Sequence, residues 1–555
     1  MYDLAVKNGR IIDGTGNPWF RANIGVSEGR IAEISHSDSI RAKRVIDAGG
    51  LVVMPGVVDI HSHSDQTLLT YNRAENRVRQ GITTEAVGSC GFSSYAFNKK
   101  FRETMKGLLR FWTGREYDVD WLTLAEWSDR LGKVGVGVNI VPLVGFGTVR
   151  RSVMGEEGEG GERNEPTDAE LKAMRRLVEG GMRDGAFGIT SGLEYVSQRN
   201  AYTEELIELC RAVSDRGGVY TSHIRSEDDY VVEAVEEFIR ICREAEIPGC
   251  ISHHKACSSW NWGKPKETIR LLSEARADGV DVICDTYPWL YVAVRNVGLF
   301  FLKPGEPFDD AKRGELKRSF GSDEAWAKIR AEAEESFEQE RSMIEETRKK
   351  LESHGTPGRI PWDPVVYFII AYSKTRPDLE GRNFTEAARA MGMGDPWDAV
   401  RRLYLADDGS TTVAMGSMSE EDLVTILRAP FTAVSTDGHA EDEPRSLHPR
   451  AYGTYPLLFE RYVREKGVLG LEEAVRRVTS LPASFLGLRD RGLLRDGFWA
   501  DVVVFDPSTI RNRATYAEPC LYPEGISHVL VNGEPVVKGG KYLGTLNGMV
   551  LKRAE

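Results

Sequence analysis

Short runs of β-branched and apolar residues alternate with longer amphipathic stretches through the middle of the chain, which predicts βα units around a parallel sheet. Eight such runs fall at 57–61, 83–87, 137–143, 187–191, 219–224, 250–254, 280–286 and 431–436. Helical periodicity fills most of the intervals, as at 168–183, 204–216, 228–244 and 265–277. Eight strands joined by right-handed crossovers predict an α/β fold, a (β/α)8 TIM-like barrel over 55–484. The texture changes at both ends. Residues 1–54 read as short strands with turns at Asn8-Gly9 and Glu28-Gly29, and 485–555 repeat that texture with a hairpin turn at Asn532-Gly533. The two ends are expected to form one small β-sandwich domain. The interval before the eighth strand is too long for one crossover and predicts a helical insertion over 296–362. Its charged, helix-favouring part, 309–351, reads either as a solvated helical hairpin or as a lid over the barrel mouth.

Composition narrows the class. With 555 residues, 41% apolar and 28% charged, the chain can bury a large core and does not read as disordered. Lys and Arg number 72 against 84 Asp and Glu, a net charge of −12, with no long basic run, so a nucleic-acid partner is not expected. No stretch of ~18 apolar residues predicts a membrane span, and the first residues, Met1-Tyr2-Asp3-Leu4, lack a basic segment followed by an apolar one. Seven scattered cysteines without a C-x-x-C pair suit reduced thiols, and a soluble, cytoplasmic protein is expected. Nothing in the sequence opposes assembly into an oligomer.

Candidate chemistry sits at the strand ends. In Asp59-Ile60-His61-Ser62-His63, residues two apart share a strand face, so both imidazoles can reach one ion. An H-x-H pair alone is a common structural feature, but His223 ends the fifth run, His253 the sixth, and Asp437 the eighth, and catalytic groups of barrels lie at such C-terminal tips. His254 should point away from its neighbour and read as structural; His36, His354 and His528 read as surface or packing residues. Asp437-Gly438 also suits a plain turn.

These strand-end residues resemble the amidohydrolase superfamily, which implies a metal-activated water attacking an amide or ester-like centre. Hydantoinases and dihydroorotases carry a carbamylated lysine at the end of the fourth strand; here that strand ends Gly188-Ile189-Thr190-Ser191-Gly192, while the second ends Gly88-Ser89-Cys90-Gly91. A Cys90 thiolate can replace the bridge, because it is a soft, strong zinc ligand; the bland alternative is a packed free thiol. The pattern is similar to the N-acyl-D-amino-acid deacylase (D-aminoacylase) family in Gly192-Leu193-Glu194-Tyr195, Ser222-His223-Ile224-Arg225, Ser252-His253-His254-Lys255, Asp285-Thr286-Tyr287-Pro288, Asp437-Gly438 and His448-Pro449-Arg450-Ala451. The resemblance implies a tight zinc site at Cys90, His223 and His253, a second, weaker site at His61, His63 and Asp437, and Asp437 as general acid/base.

The implied reaction is hydrolysis of an N-acyl-D-amino acid to a carboxylate and a free D-amino acid. Its small-molecule substrate carries a carboxylate, for which Lys255 and Arg450 are candidate cations and Tyr195 and Tyr287 candidate hydrogen-bond donors. Bulky runs at 92–97 and 289–294, where the family usually has smaller or proline-containing segments, are expected along the pocket wall and suggest larger apolar substrate groups. Two alternatives accompany this reading, a cyclic amidohydrolase of hydantoinase type and a non-catalytic barrel protein.

Overall fold

The computed structural model describes residues 1–37, 40–155, 165–195, 197–302, 310–353 and 368–553. All eight expected runs contain strand, and the strands are parallel. The first three, Val57–Asp59, Ile82–Val87 and Asn139–Pro142, pair in that order. After Leu143 the third strand continues as Val144–Gly145 and pairs with the fourth, Gly188–Gly192. Val219–His223, Gly249–Ile251, Val282–Thr286 and Thr432–Val434 follow in sequence order. Just beyond the eighth strand the chain meets the first again, where the Asp437 N–H donates to the His61 carbonyl at 3.0 Å and the His63 N–H to the Gly438 carbonyl at 2.9 Å. Every residue of Ile82–Val87 is buried, as a parallel sheet covered by helices on its outer face requires.

Local chemistry sets the helix starts. Thr167 and Glu170 form a reciprocal cap at the start of Asp168–Arg183, and Pro265 occupies the first turn of Pro265–Ala277. The expected helix 228–244 begins only at Val231. Ser226 explains the delay, because its hydroxyl donates to Asp228 at 2.9 Å and accepts from the Tyr230 N–H at 3.2 Å, closing a loop where a first turn would stand.

The two chain ends share one sheet of nine strands, in which Val502–Phe505 pairs antiparallel with Val52–Pro55. Eight of its strands follow one hydrogen-bonded path, Ala42–Asp47 pairs in parallel with Tyr2–Ile11 beside that path, and the strands enclose a core of Leu4, Ile24, Val53, Val502 and Leu530. The segment before the eighth strand holds the helices Asp310–Gly321 and Asp323–Ser353, but its packing unit reaches beyond 362: Val297, Phe320 and Trp326 share a cluster with Phe368, Phe384, Leu403 and Val413. Residues 354–367, including His354, lie outside the described residues. Among the described residues no helix is long and apolar enough to cross a membrane.

Candidate metal centre

Cys90 follows the second strand in a turn that depends on its two flanking glycines. Gly88, Cys90 and Gly91 all adopt positive φ, of 89°, 54° and 78°. A Cβ on Gly88 would lie 2.2 Å from the Leu143 carbonyl oxygen, and one on Gly91 2.1 Å from Gln198 Oε1, so both glycines are needed for close approach. Asp65 accepts from the Gly88 and Ser94 N–H groups at 3.1 and 2.8 Å, and Gln198 Nε2 donates to the Cys90 carbonyl at 3.0 Å. His253 (φ 36°) and Asp437 (φ 48°) are also left-handed. Such backbone is unfavourable for residues with a Cβ and clusters at functional sites.

The turn aims a buried Sγ at three imidazoles, 3.4 Å from His61 Nε2, 3.4 Å from His253 Nε2 and 3.9 Å from His223 Nδ1. Two overlapping groups result, Cys90 with His223 and His253, and Cys90 with His61, His63 and Asp437, each with ligand atoms within 4.8 Å of one another. Around a tetrahedral zinc with S and N bonds of roughly 2.3 and 2.1 Å, sulfur and nitrogen stand about 3.6 Å apart. The observed spacings bracket that value, so the donor set fits a zinc ion, with Cys90 common to both groups.

The far nitrogens of three histidines face carboxylates. His253 Nδ1 lies 2.7 Å from Glu227 Oε1, His223 Nε2 3.2 Å from Glu194 Oε2, and His61 Nδ1 3.6 Å from Asp285 Oδ2. This arrangement selects the tautomer and orients each ring with a free nitrogen toward the centre. Asp437 Oδ1 sits 3.1 Å from His63 Nε2 and 3.5 Å from His61 Nε2, while its Oδ2 pairs with Arg450 at 2.5 Å.

Electrostatics separate Cys90 from the other thiols. Burial opposes its thiolate, but the neighbouring His61 and His253 hold the thiol well below its ordinary value. Burial pushes the other six cysteines up, Cys284 to about 12 and Cys520 to about 11 among them. Burial likewise opposes ionisation of Asp437, and the Arg450 and His253 charges more than offset it, leaving the carboxyl well below its usual range.

The expected substrate residues divide. Lys255 is buried, with Nζ 2.7 Å from Glu227 Oε1 and 2.8 Å from His253 Nδ1. Its ammonium and the Arg450 guanidinium flank the Tyr287 ring, 5.5 and 5.0 Å from its centroid. The Tyr287 hydroxyl is buried without a hydrogen-bond partner among the described residues, a donor left over for a ligand. Tyr195 stands apart, 36% exposed, with its ring 4.9 Å from that of His223 and 5.1 Å from that of Phe92. Tyr95 and Phe97, expected on the pocket wall, are buried in the main core instead. His254 packs as a buried residue with Nε2 2.7 Å from the Thr268 hydroxyl. Sequence reasoning gave no role to Glu227, Glu194, Asp285 or His439. Glu194 and Asp285 stand inside strand-end motifs, but no spacing rule says which histidine a carboxylate will face.

Histidines, a thiolate and a carboxylate gathered at the C-terminal ends of parallel strands define a metal-centre protein on a β/α scaffold. The sequence pattern of the Amidohydrolase family matches residues 44–537. A D-aminoacylase from Alcaligenes xylosoxydans xylosoxydans is 34% identical, the alignment covering 100% of this chain and 98% of that protein. An N-acyl-D-aspartate deacylase from the same organism is 31% identical, covering 99% and 95%. The crystal structure of an N-acyl-D-glutamate deacylase from Bordetella bronchiseptica, complexed with zinc and a phosphonate inhibitor, superposes with a TM-score of 0.72 at 30% identity over 99% of each chain. The chain belongs to the amidohydrolase family.

Proposed function

We propose that the protein is a zinc-dependent deacylase that hydrolyses N-acyl-D-amino acids to a carboxylate and a free D-amino acid. The observation that carries this reading is the Cys90 cluster. The fourth strand ends at Gly192, where a Cβ would lie 2.3 Å from the Cys90 carbonyl oxygen, so a lysine bridge of hydantoinase type has no room there. The end-to-end similarity to D-aminoacylase supports the same choice.

In this reading Cys90, His223 and His253 hold the tight zinc, and His61, His63 and Asp437 serve a second, weaker position. A zinc ion in the cluster would acidify the attacking water and draw electron density from the acyl carbonyl. Asp437 takes the proton of that water and delivers it to the amide nitrogen as the C–N bond breaks. Its pairing with Arg450 keeps the carboxylate ionised and ready to accept, and the left-handed backbone at 437 points it at the centre. Tyr287, Lys255 and Arg450 form the wall suited to the substrate carboxylate, with the unpaired Tyr287 hydroxyl as its donor. Tyr195 borders the centre beside His223.

We also read the eight strands as a closed (β/α)8 barrel over 55–484, for which the contacts of Asp437 and His63 across the first and eighth strands argue. The β domain takes 1–54 and 485–555. All seven cysteines are free, in keeping with a cytoplasmic location.

A chiral screen tests the function. N-acetyl and longer N-acyl derivatives of D-amino acids should turn over, whereas their L-enantiomers and hydantoins should not; turnover of hydantoins or of L-substrates alone would overturn the proposal. Cys90→Ala should lose both zinc and activity, and unchanged zinc content would remove Cys90 from the ligand set.

A further inference from the structure

Helix Arg102–Thr113 ends beside the centre in two exposed aromatics, Phe111 at 73% and Trp112 at 40% exposure, whose rings meet edge-on at 5.1 Å. The helix buries Met105, Leu109 and Thr113, a stripe at spacing four, so Phe111 and Trp112 fall on its outward side. They are not loose surface residues. The Trp112 ring lies over His439 at 4.4 Å and 30°, and His439 stacks on His63 at 5.5 Å and 28°. A continuous ring stack thus runs from a candidate metal ligand out to solvent.

The helix end is anchored. The Tyr71 hydroxyl donates to Glu443 Oε1 at 2.7 Å and contacts the Thr113 carbonyl at 3.1 Å. Glu443 also pairs with Arg115 at 3.4 Å. These contacts tie the residues around Trp112 to the loop that carries Asp437 and His439.

Direction gives the stack its meaning. Step by step, contacts run Arg450 to Asp437 at 2.5 Å, Asp437 to His63 at 3.1 Å, His63 to His439, and His439 to Trp112. A scissile amide at Asp437 and His63 with its carboxylate half at Arg450 sends its other half toward Trp112. We infer that Phe111 and Trp112 form the acyl subsite, a flat aromatic platform that selects substrates with extended aliphatic or aromatic acyl groups over acetyl. The inference rests on the deacylase reading for the identity of the substrate. It rests on the ring stack alone for the claim that an apolar chain binds there. An exposed aromatic face gains from covering by methylenes, and a chain of eight carbons offers six more of them than acetyl, enough for about a tenfold preference when roughly three-tenths of their surface is covered.

The experiment compares kcat/KM for N-octanoyl and N-acetyl derivatives of one D-amino acid in wild type, Trp112→Ala, Trp112→Phe and Phe111→Ala, alongside titration calorimetry of octanoate and acetate binding to the zinc-loaded protein. Wild type should favour octanoyl, and Trp112→Ala should lower the octanoyl-to-acetyl ratio about tenfold, with Trp112→Phe intermediate and Phe111→Ala also reduced. Octanoate binding should weaken in parallel. A ratio unchanged by Trp112→Ala, or an equal fall for both substrates, overturns the subsite and leaves the aromatic pair to packing or self-association. If no N-acyl-D-amino acid turns over, the deacylase reading fails. Octanoate binding that depends on Trp112 would then still support the apolar subsite, and Trp112-independent binding would overturn it.

Discussion

Glu227→Gln probes whether a buried carboxylate orients the centre. Glu227 is 5% exposed, and its Oε1 lies 2.7 Å from both His253 Nδ1 and Lys255 Nζ. Burial opposes its charge, yet Lys255, His223 and His253 hold its carboxyl well below the usual range. The amide of Gln keeps the shape and one acceptor but leaves the Lys255 ammonium, 2% exposed, without a counter-charge. Breaking a buried pair from one side costs about 3–5 kcal/mol, and the retained acceptor places the expected loss near the lower end. Zinc affinity should fall about 10–100-fold, because a neutral amide that can also present its NH2 fixes the His253 tautomer less firmly than the carboxylate does. Denaturant unfolding of chelator-treated protein reads the first effect, and competition against a chelating dye the second. Adding Lys255→Met should restore stability, since neither charge then remains buried alone, without restoring zinc affinity. A Glu227→Gln protein that matches wild type in both measurements would refute the argument.

Other expectations follow from the same geometry. Asp437→Asn should retain the tight zinc at Cys90, His223 and His253 while kcat falls about 10²–10⁴-fold, the usual worth of a positioned proton carrier; metal analysis beside steady-state kinetics checks the split. Gly192→Ala places a methyl 2.3 Å from the Cys90 carbonyl oxygen, so the Cys90 turn must shift, and both zinc affinity and activity should drop in a protein that still folds by circular dichroism. His448 is held neutral. Burial first, then Arg450, lower it to about 3, while its Nε2 donates to the Tyr291 carbonyl and its Nδ1 accepts from the Arg450 N–H. A histidine depressed in the folded state contributes stability that is present above its unfolded value of ~6.5 and is lost as pH falls toward 3, by up to about 1.4 kcal/mol per pH unit. His448→Gln should therefore flatten the acid limb of the stability curve, and an unchanged slope would place the titrating group elsewhere.

Much of the scaffold was legible because strand-forming runs and their helical intervals are local patterns. The helix at 168–183 carries its own capping residues, and the turn at Cys90 carries its own glycines. The delayed helix start at Val231 was not legible, because Ser226 competes for the same backbone groups through its hydroxyl. The single sheet shared by the chain ends was half legible. Alternation marks strands, but the pairing of Val52–Pro55 with Val502–Phe505 is chosen by the core they share.

The sequence by itself determined the chemistry on offer: which histidines end strands, that a cysteine stands after the second strand, and that no lysine ends the fourth. Tertiary structure alone decided which of these groups meet. Cys90 and His253 are 163 positions apart, and their 3.4 Å contact depends on the path of every strand between them. The three adjacent acids Glu227, Asp228 and Asp229 show the same division. One faces His253 and Lys255, the next accepts from Ser226, and the third accepts from Trp260. Their residue types are nearly alike, and only burial and the direction of the backbone assign one of them to the centre.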